Sequence, residues 1–215
     1  MLILSVKTKM DKFETKDNKI IDIMKDYSHP SHRVHLEVLK LIPECSKVLS
    51  AGCGSGREVK YLSEVKNCNV VGIDIDPQVI CRGMTPRAEC YVKDMATFIS
   101  EEKFDYIVCL WNTINYPEKE DRTKFIKNCE YNLKDGGILL MTTKHKYFDT
   151  RTFLSHLKTK YFKKHVNPNY YFPYSEISEW FKDTSFDFNI NRFENTLFIK
   201  AKSHTFKLKG DTEKG

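Results

Sequence analysis

The hydrophobic positions of the chain follow two rhythms that alternate along its length. Short apolar runs bounded by polar or glycine residues read as buried strands: Val48 to Ala51, Asn69 to Asp74, Glu89 to Asp94, Phe104 to Leu110 and Ile138 to Met141. Between them apolar residues recur at helical spacing, as in Val59, Leu62 and Val65, or Phe125, Cys129 and Leu133. Lys134-Asp135-Gly136-Gly137 reads as the glycine turn that closes the second of these helices. Beyond a short helix near Ser175 to Phe181, with an S-x-x-S start, Phe186 to Ile190 and Thr196 to Ala201 alternate as two strands around a polar turn. Strands alternating with helices predict a parallel sheet wound by right-handed crossovers. The expected fold class is therefore α/β: a doubly wound, mostly parallel seven-stranded sheet with a C-terminal antiparallel hairpin strand.

Ahead of the first strand the period is helical. Ile20 to Tyr27 form one segment, Ser28-His29-Pro30-Ser31 breaks it, and a second helix starts at Pro30 or Ser31. That helix carries Val34, Val38, Leu41 and Ile42 on one face and stops at Pro43. The chain thus divides into an N-terminal helical lid or extension (1–44), a core (45–202) with a basic and aromatic insert near 144–174, and a flexible basic tail (203–215). The two N-terminal helices are expected to pack on the sheet or cover its ligand-binding edge.

Composition narrows the class. The chain has 215 residues, 30% of them charged and 13% aromatic, which suits a folded soluble domain rather than a disordered one. No apolar run approaches the roughly 20 residues of a membrane helix, and Met1 to Val6 is too short for a signal-peptide core. Seven cysteines without a C-x-x-C pair argue against a disulfide framework and a zinc site, and for reduced thiols in the cytoplasm. A net charge of +6 is explained by a lysine-rich surface as readily as by a nucleic-acid partner. His29, His32 and His35 stand three apart without a carboxylate or thiol at ligand spacing except Glu37, so they read as an exposed polar helix face and no metal is expected.

The chemistry concentrates after the first strand, at Gly52-Cys53-Gly54-Ser55-Gly56. Glycines there permit backbone angles and approaches that a Cβ blocks. Ser55 is placed to cap the following helix, and such a strand–turn–helix holds a polar ligand against backbone N–H groups. Asp74, 22 residues after Gly52 at the end of the second strand, is placed to accept the hydroxyls of a ribose. The dinucleotide-binding fingerprint G-x-G-x-x-G requires a third glycine where this chain has Arg57.

Over residues 45 to 201 this constellation resembles the class I methyltransferases, which use S-adenosylmethionine. The resemblance implies that the first-motif residues Ser50, Ala51, Gly52, Cys53, Gly54 and Gly56 bind that cofactor. It further implies that Asp74 and Ile75 meet its ribose, that Asp94 and Met95 read its adenine edge, and that Trp111 lines the mouth. One departure stands out: Ser50 occupies the place of an acid that in this family commonly contacts the methionine amino group. The implied enzyme is an S-adenosylmethionine-dependent methyltransferase, releasing S-adenosylhomocysteine, with in-line displacement onto a nitrogen or oxygen of a small molecule. Positioning supplies much of such a rate, so no catalytic residue is assigned. Asn112, Asn115 and Tyr116 should flank the methyl, His145 and Tyr147 should orient or deprotonate an acceptor, and Tyr27 belongs to the lid. The Lys144 to Lys164 region fits an anionic or aromatic small substrate, or alternatively an RNA or protein partner. A non-catalytic methyltransferase-like binding subunit is a third reading, supported by Ser50.

Overall fold

The computed structural model describes Ser28 and residues 30–78, 85–144, 172–193 and 196–204. The first expected helix, Tyr27, His29, His145, Tyr147, most of the basic insert and the tail beyond His204 lie outside the described residues. Helix α1 (Pro30–Lys40) is followed by strand β1 (Lys47–Ala51), helix α2 (Arg57–Lys60, continued as a π-helical turn over Tyr61–Val65) and β2 (Asn69–Asp74). Then come β3 (Ala88–Val92), β4 (Phe104–Cys109), α3 (Lys119–Asn132), β5 (Leu133–Lys144), α4 (Tyr174–Trp180), β6 (Asp187–Phe193) and β7 (Thr196–Lys202). These strands form one sheet in the order β3-β2-β1-β4-β5-β7-β6. The first five are parallel, while β7 runs antiparallel to both β5 and β6.

Burial explains the order. Val48, Leu49, Ser50 and Ala51 are all buried, as a central parallel strand with helices on both faces requires. One face packs α3 and α4 against Leu49, Ile73, Ile107 and Leu139 around Trp180 and Phe125. The other packs α1 and α2 against Val48, Val70, Val108 and Leu140 through Leu36, Leu39, Ile42, Val59 and Leu62. Each such aliphatic side chain contributes about 1.5–3 kcal/mol when taken from water. The outer strands alternate instead, β6 most clearly. Among the described residues no helix is long and apolar enough to cross a membrane.

Several local expectations are corrected. Ser55 caps nothing: the N-cap of α2 is Gly56, at φ 78°, without a side-chain bond. Helix α3 ends without a glycine cap, because Leu133 is already extended and pairs with Phe104. Gly136, at φ 72°, instead lies inside a twelve-residue β5, and its N–H bonds the Ser203 carbonyl. Helix α4 starts at Tyr174 behind Pro173 rather than on a serine. Leu41 is half exposed because α1 has ended at Lys40. The expected exposed histidine face also fails at His35, which is 4% exposed.

Candidate functional site

The site is built where the carboxyl ends of β1, β2 and β4 stop being strands. The chain leaves β1 through Gly52 and Cys53, whose N–H groups both donate to the Ile73 carbonyl at 2.8 and 2.9 Å, tying the turn to β2. Gly52 takes φ 70°, and a Cβ there would collide with the Thr113 side chain. A Cβ on Gly54, by contrast, would have no neighbour within 4 Å. Its N–H donates to Asp74 Oδ2 at 2.8 Å, and the Asp76 N–H donates to Asp74 Oδ1 at 2.9 Å. The Asp74 carboxylate is thereby aimed by backbone donors and keeps lone pairs for further hydroxyls. Asp94 lies two residues past the end of β3 and accepts from the Ala96 N–H at 2.8 Å.

After β4, Trp111 and Asn112 both take left-handed backbone angles, φ 57° and 60°. For a bulky residue such as Trp that conformation costs about 1–3 kcal/mol and persists only when its surroundings hold it. Here Trp111 is held on several sides. Its indole Nε1–H donates to Glu58 Oε2 at 3.0 Å, and its backbone N–H points to His35 Nδ1 at 3.4 Å. The His35 ring lies 4.1 Å from the indole, and the Arg57 guanidinium sits 4.8 Å from it as a cation over its face. His35 Nδ1 also meets the Thr142 hydroxyl at 3.2 Å. Burial, with help from the neighbouring charges of His32 and Arg57, pushes the His35 pKa down to about 3, so the ring stays neutral and its Nδ1 free to accept.

Glu58 is the buried acid of this group, 2% exposed. The Ser50 hydroxyl donates to its Oε1 at 2.8 Å and Trp111 to its Oε2. Burial raises its pKa, opposed by a hydrogen bond from its own backbone N–H, by the bonds from Ser50 and Trp111 and by the Arg57 charge. Ser50 thus has a carboxylate beside it after all, delivered from the first turn of α2.

These elements enclose a cavity of about 690 Å³, within the usual range for ligand pockets. Of the expected cofactor residues, Gly52, Cys53, Gly54, Asp74, Ile75, Asp94, Met95 and Trp111 line it. Ser50, Ala51 and Gly56 are buried behind the wall. Tyr116 lines the cavity with its ring largely exposed. Asn115 does not: it is fully buried and accepts from the Thr143 hydroxyl at 2.6 Å, bracing the 3₁₀ turn against β5. Asn112 also lies outside the lining, its Oδ1 buried without a hydrogen-bond partner among the described residues. The sequence pattern gives no site role to Arg57, Glu58, Asp76, Lys93 or Asp121, all of which line the cavity. The one available signal was the pair Arg57-Glu58 directly against the apolar stripe of α2, where Glu58 had no reason to be polar.

The cavity fits S-adenosylmethionine on the chemistry of its walls. Open space above Gly54 lets a ligand approach backbone, Asp74 retains acceptor capacity for ribose hydroxyls, and Met95 beside Asp94 offers an apolar and polar pair for a purine. Among the described residues no cluster of His, Cys, Asp and Glu converges on a metal position.

Comparison with known proteins agrees. Residues 48–137 match the family model described as a methyltransferase domain. A 2-methyl-6-phytyl-1,4-hydroquinone methyltransferase of Synechocystis sp. is 33% identical over 109 residues, which are 48% of this chain but 33% of that protein. The match thus spans only a third of that relative. Among solved structures, a methyltransferase from Methanosarcina mazei superposes with TM-score 0.63 at 20% identity, covering 82% of this chain and 98% of that one. The magnesium protoporphyrin IX methyltransferase of Synechocystis, solved with bound S-adenosylhomocysteine, superposes with TM-score 0.57 at 19% identity, over 88% and 82%. The strand order, the glycine turn and these likenesses converge: residues 48–137 form a methyltransferase domain, and the chain has the fold of the class I S-adenosylmethionine-dependent methyltransferases.

Proposed function

We propose that the chain is an S-adenosylmethionine-dependent methyltransferase whose acceptor is a small molecule. The observation that carries the reading is the Gly54–Asp74 pair at an open cavity: a carboxylate oriented by a glycine-turn N–H toward space large enough for a nucleoside. S-adenosylmethionine supplies an electrophilic methyl group on a sulfonium centre. What the chain must supply is alignment and the exclusion of water. Trp111, Thr113, Tyr116 and Pro117 form the wall beyond the glycine turn, and that is where an acceptor would lie. Two of the relatives' names favour a small acceptor, a hydroquinone and a magnesium porphyrin, against one that names a ribosomal protein.

The test is calorimetry with S-adenosylmethionine, S-adenosylhomocysteine and NADP on the wild type and Asp74→Ala. Expected is micromolar binding of both adenosyl ligands, weakened at least about tenfold in the variant, the order expected for a lost hydrogen bond to a charged group. Absence of adenosyl binding, or a preference for NADP, overturns the reading. Methyl transfer from labelled cofactor to pools of phenols and amines, against RNA and protein pools, then separates the acceptor classes.

A further inference from the structure

Two thiols from distant parts of the chain meet beside the glycine turn. Gly72 lies within β2, in register with Ser50 of β1 on one side and Cys90 of β3 on the other. A Cβ built on Gly72 would stand 2.9 Å from Cys90 Sγ and 3.0 Å from Cys53 Sγ. Both sulfurs therefore converge over the residue of β2 that lacks a side chain. They stand within about 6 Å of each other, close enough for a disulfide once the side chains turn. Cys53 follows Gly52 in the turn and lines the cavity, whereas Cys90 is partly exposed on β3, the outermost strand at that end of the sheet. A hydrogen bond from Cys53 pulls the Cys90 pKa below the usual thiol value, so this sulfur carries more thiolate than a free cysteine. Burial does the opposite at Cys68, Cys109 and Cys129, which keeps them protonated and inert.

We propose that Cys53 and Cys90 are a reversible disulfide pair through which a peroxide weakens cofactor binding at the cavity. The effect on the cavity rests on the cofactor reading above; the bond itself does not. The Cys90 thiolate attacks hydrogen peroxide, the O–O bond breaks, and Cys90 sulfenic acid and hydroxide form. The Cys53 sulfur then attacks the sulfenic sulfur, the S–O bond breaks and the S–S bond forms. The two thiol protons leave with the two peroxide oxygens as two molecules of water, and the peroxide takes up the two electrons. A dithiol reverses the oxidation by exchange. The Cys53 backbone is tied on both sides: its N–H donates to the Ile73 carbonyl at 2.9 Å, and its carbonyl accepts from the Gly56 N–H at 2.8 Å. Drawing Cys53 toward β3 therefore pulls on the turn that holds Gly54 against Asp74 and ends in Gly56, the N-cap of α2.

Trypsin makes the bond directly readable, because residues 48–57 carry Cys53 alone and residues 88–93 carry Cys90 alone. The reduced wild type is treated with hydrogen peroxide, freed of it, alkylated and mapped by mass spectrometry. A parallel sample is titrated with S-adenosylhomocysteine. Expected is a crosslink between these two peptides, with affinity lowered about tenfold, within the range of coupled sites, and restored by dithiothreitol. Cys90→Ser, outside the cavity lining, should bind the ligand like the reduced wild type both before and after peroxide. A crosslink from Cys90 to any other cysteine, or peroxide that leaves both thiols open to alkylation, overturns the pair. Unchanged affinity in the crosslinked protein, or a peroxide-driven loss that persists in Cys90→Ser, overturns its control of the cavity. A reduced wild type that binds no adenosyl ligand overturns the cofactor reading instead, and the peptide map still decides the pair.

Discussion

The two ends of the central strands use charge in opposite ways. At the amino ends, Asp105 accepts from the Lys47 N–H at 2.8 Å and pairs with Lys134 at 2.7 Å, while Lys47 reaches Glu102, all at or near the surface. At the carboxyl ends, Glu58, Ser50, His35 and Thr142 are buried, and Gly52, Gly54, Gly56, Trp111 and Asn112 take positive φ. Exposed pairs cost little to form and contribute little. Buried polar groups and strained backbone cost several kcal/mol and survive only if fully held. The carboxyl end is therefore where the molecule gives up stability to present an arranged surface.

The largest expected effect tests that claim at its tightest point. Gly52→Ala puts a Cβ into the Thr113 side chain at a φ of 70°. It should lower stability by about 2–4 kcal/mol, combining a strained φ with overpacking. Denaturant unfolding measures the loss, and calorimetry should find adenosyl-ligand binding gone, since the turn and the Trp111 loop can no longer meet. A variant that folds and binds normally would show that the close approach has no function.

Much of this end was readable in advance, and the reasons it was not wholly so are local. The glycine turn, Asp74 and Asp94 are short-range patterns: a strand, a turn and an acid at a strand end, each set by backbone geometry near in sequence. All seven strands are legible for the same reason, though the local pattern marks only Ile138 to Met141 of a β5 that runs for twelve residues. Its extension through Gly136 depends on pairing with Phe104 and Ser203, which no local signal carries. The inner shell of Trp111 was illegible because its members come from four elements: His35 from α1, Glu58 from α2, Trp111 from the β4 loop and Thr142 from β5. His35 shows the mechanism of the error. Its helical spacing matched an exposed face with His29 and His32, yet packing rotated it into the core.

His35 also gives the next test. Its folded pKa, about 3, lies below the unfolded value of 6.5, so between those pH values the unfolded chain binds a proton that the folded chain refuses. Stability contributed by the neutral ring is complete above pH 6.5 and falls as the pH drops toward 3. From pH 7.5 to 5 the wild type should lose about 2 kcal/mol more than His35→Gln, which cannot titrate. Denaturant midpoints at a series of pH values read the difference. Parallel curves would mean that the ring protonates in place and that Nδ1 is not the acceptor holding Trp111.

The smallest effect belongs to the amino end. Lys134→Met removes the ion pair with Asp105 and leaves the Asp105 bond to the Lys47 N–H in place. With the Lys134 side chain half exposed and Asp105 about a third exposed, the loss should be about 0.5 kcal/mol or less and should vanish near 1 M salt, where the Debye length is about 3 Å. Adenosyl-ligand affinity should not change, because the pair lies at the opposite end of the strands from the cavity. A salt-insensitive loss above about 2 kcal/mol would instead mean that Asp105 behaves as a buried charge. The amino end would then carry the same kind of constraint as the site, and the contrast between the two ends would reduce to the backbone strain at Trp111 and Asn112.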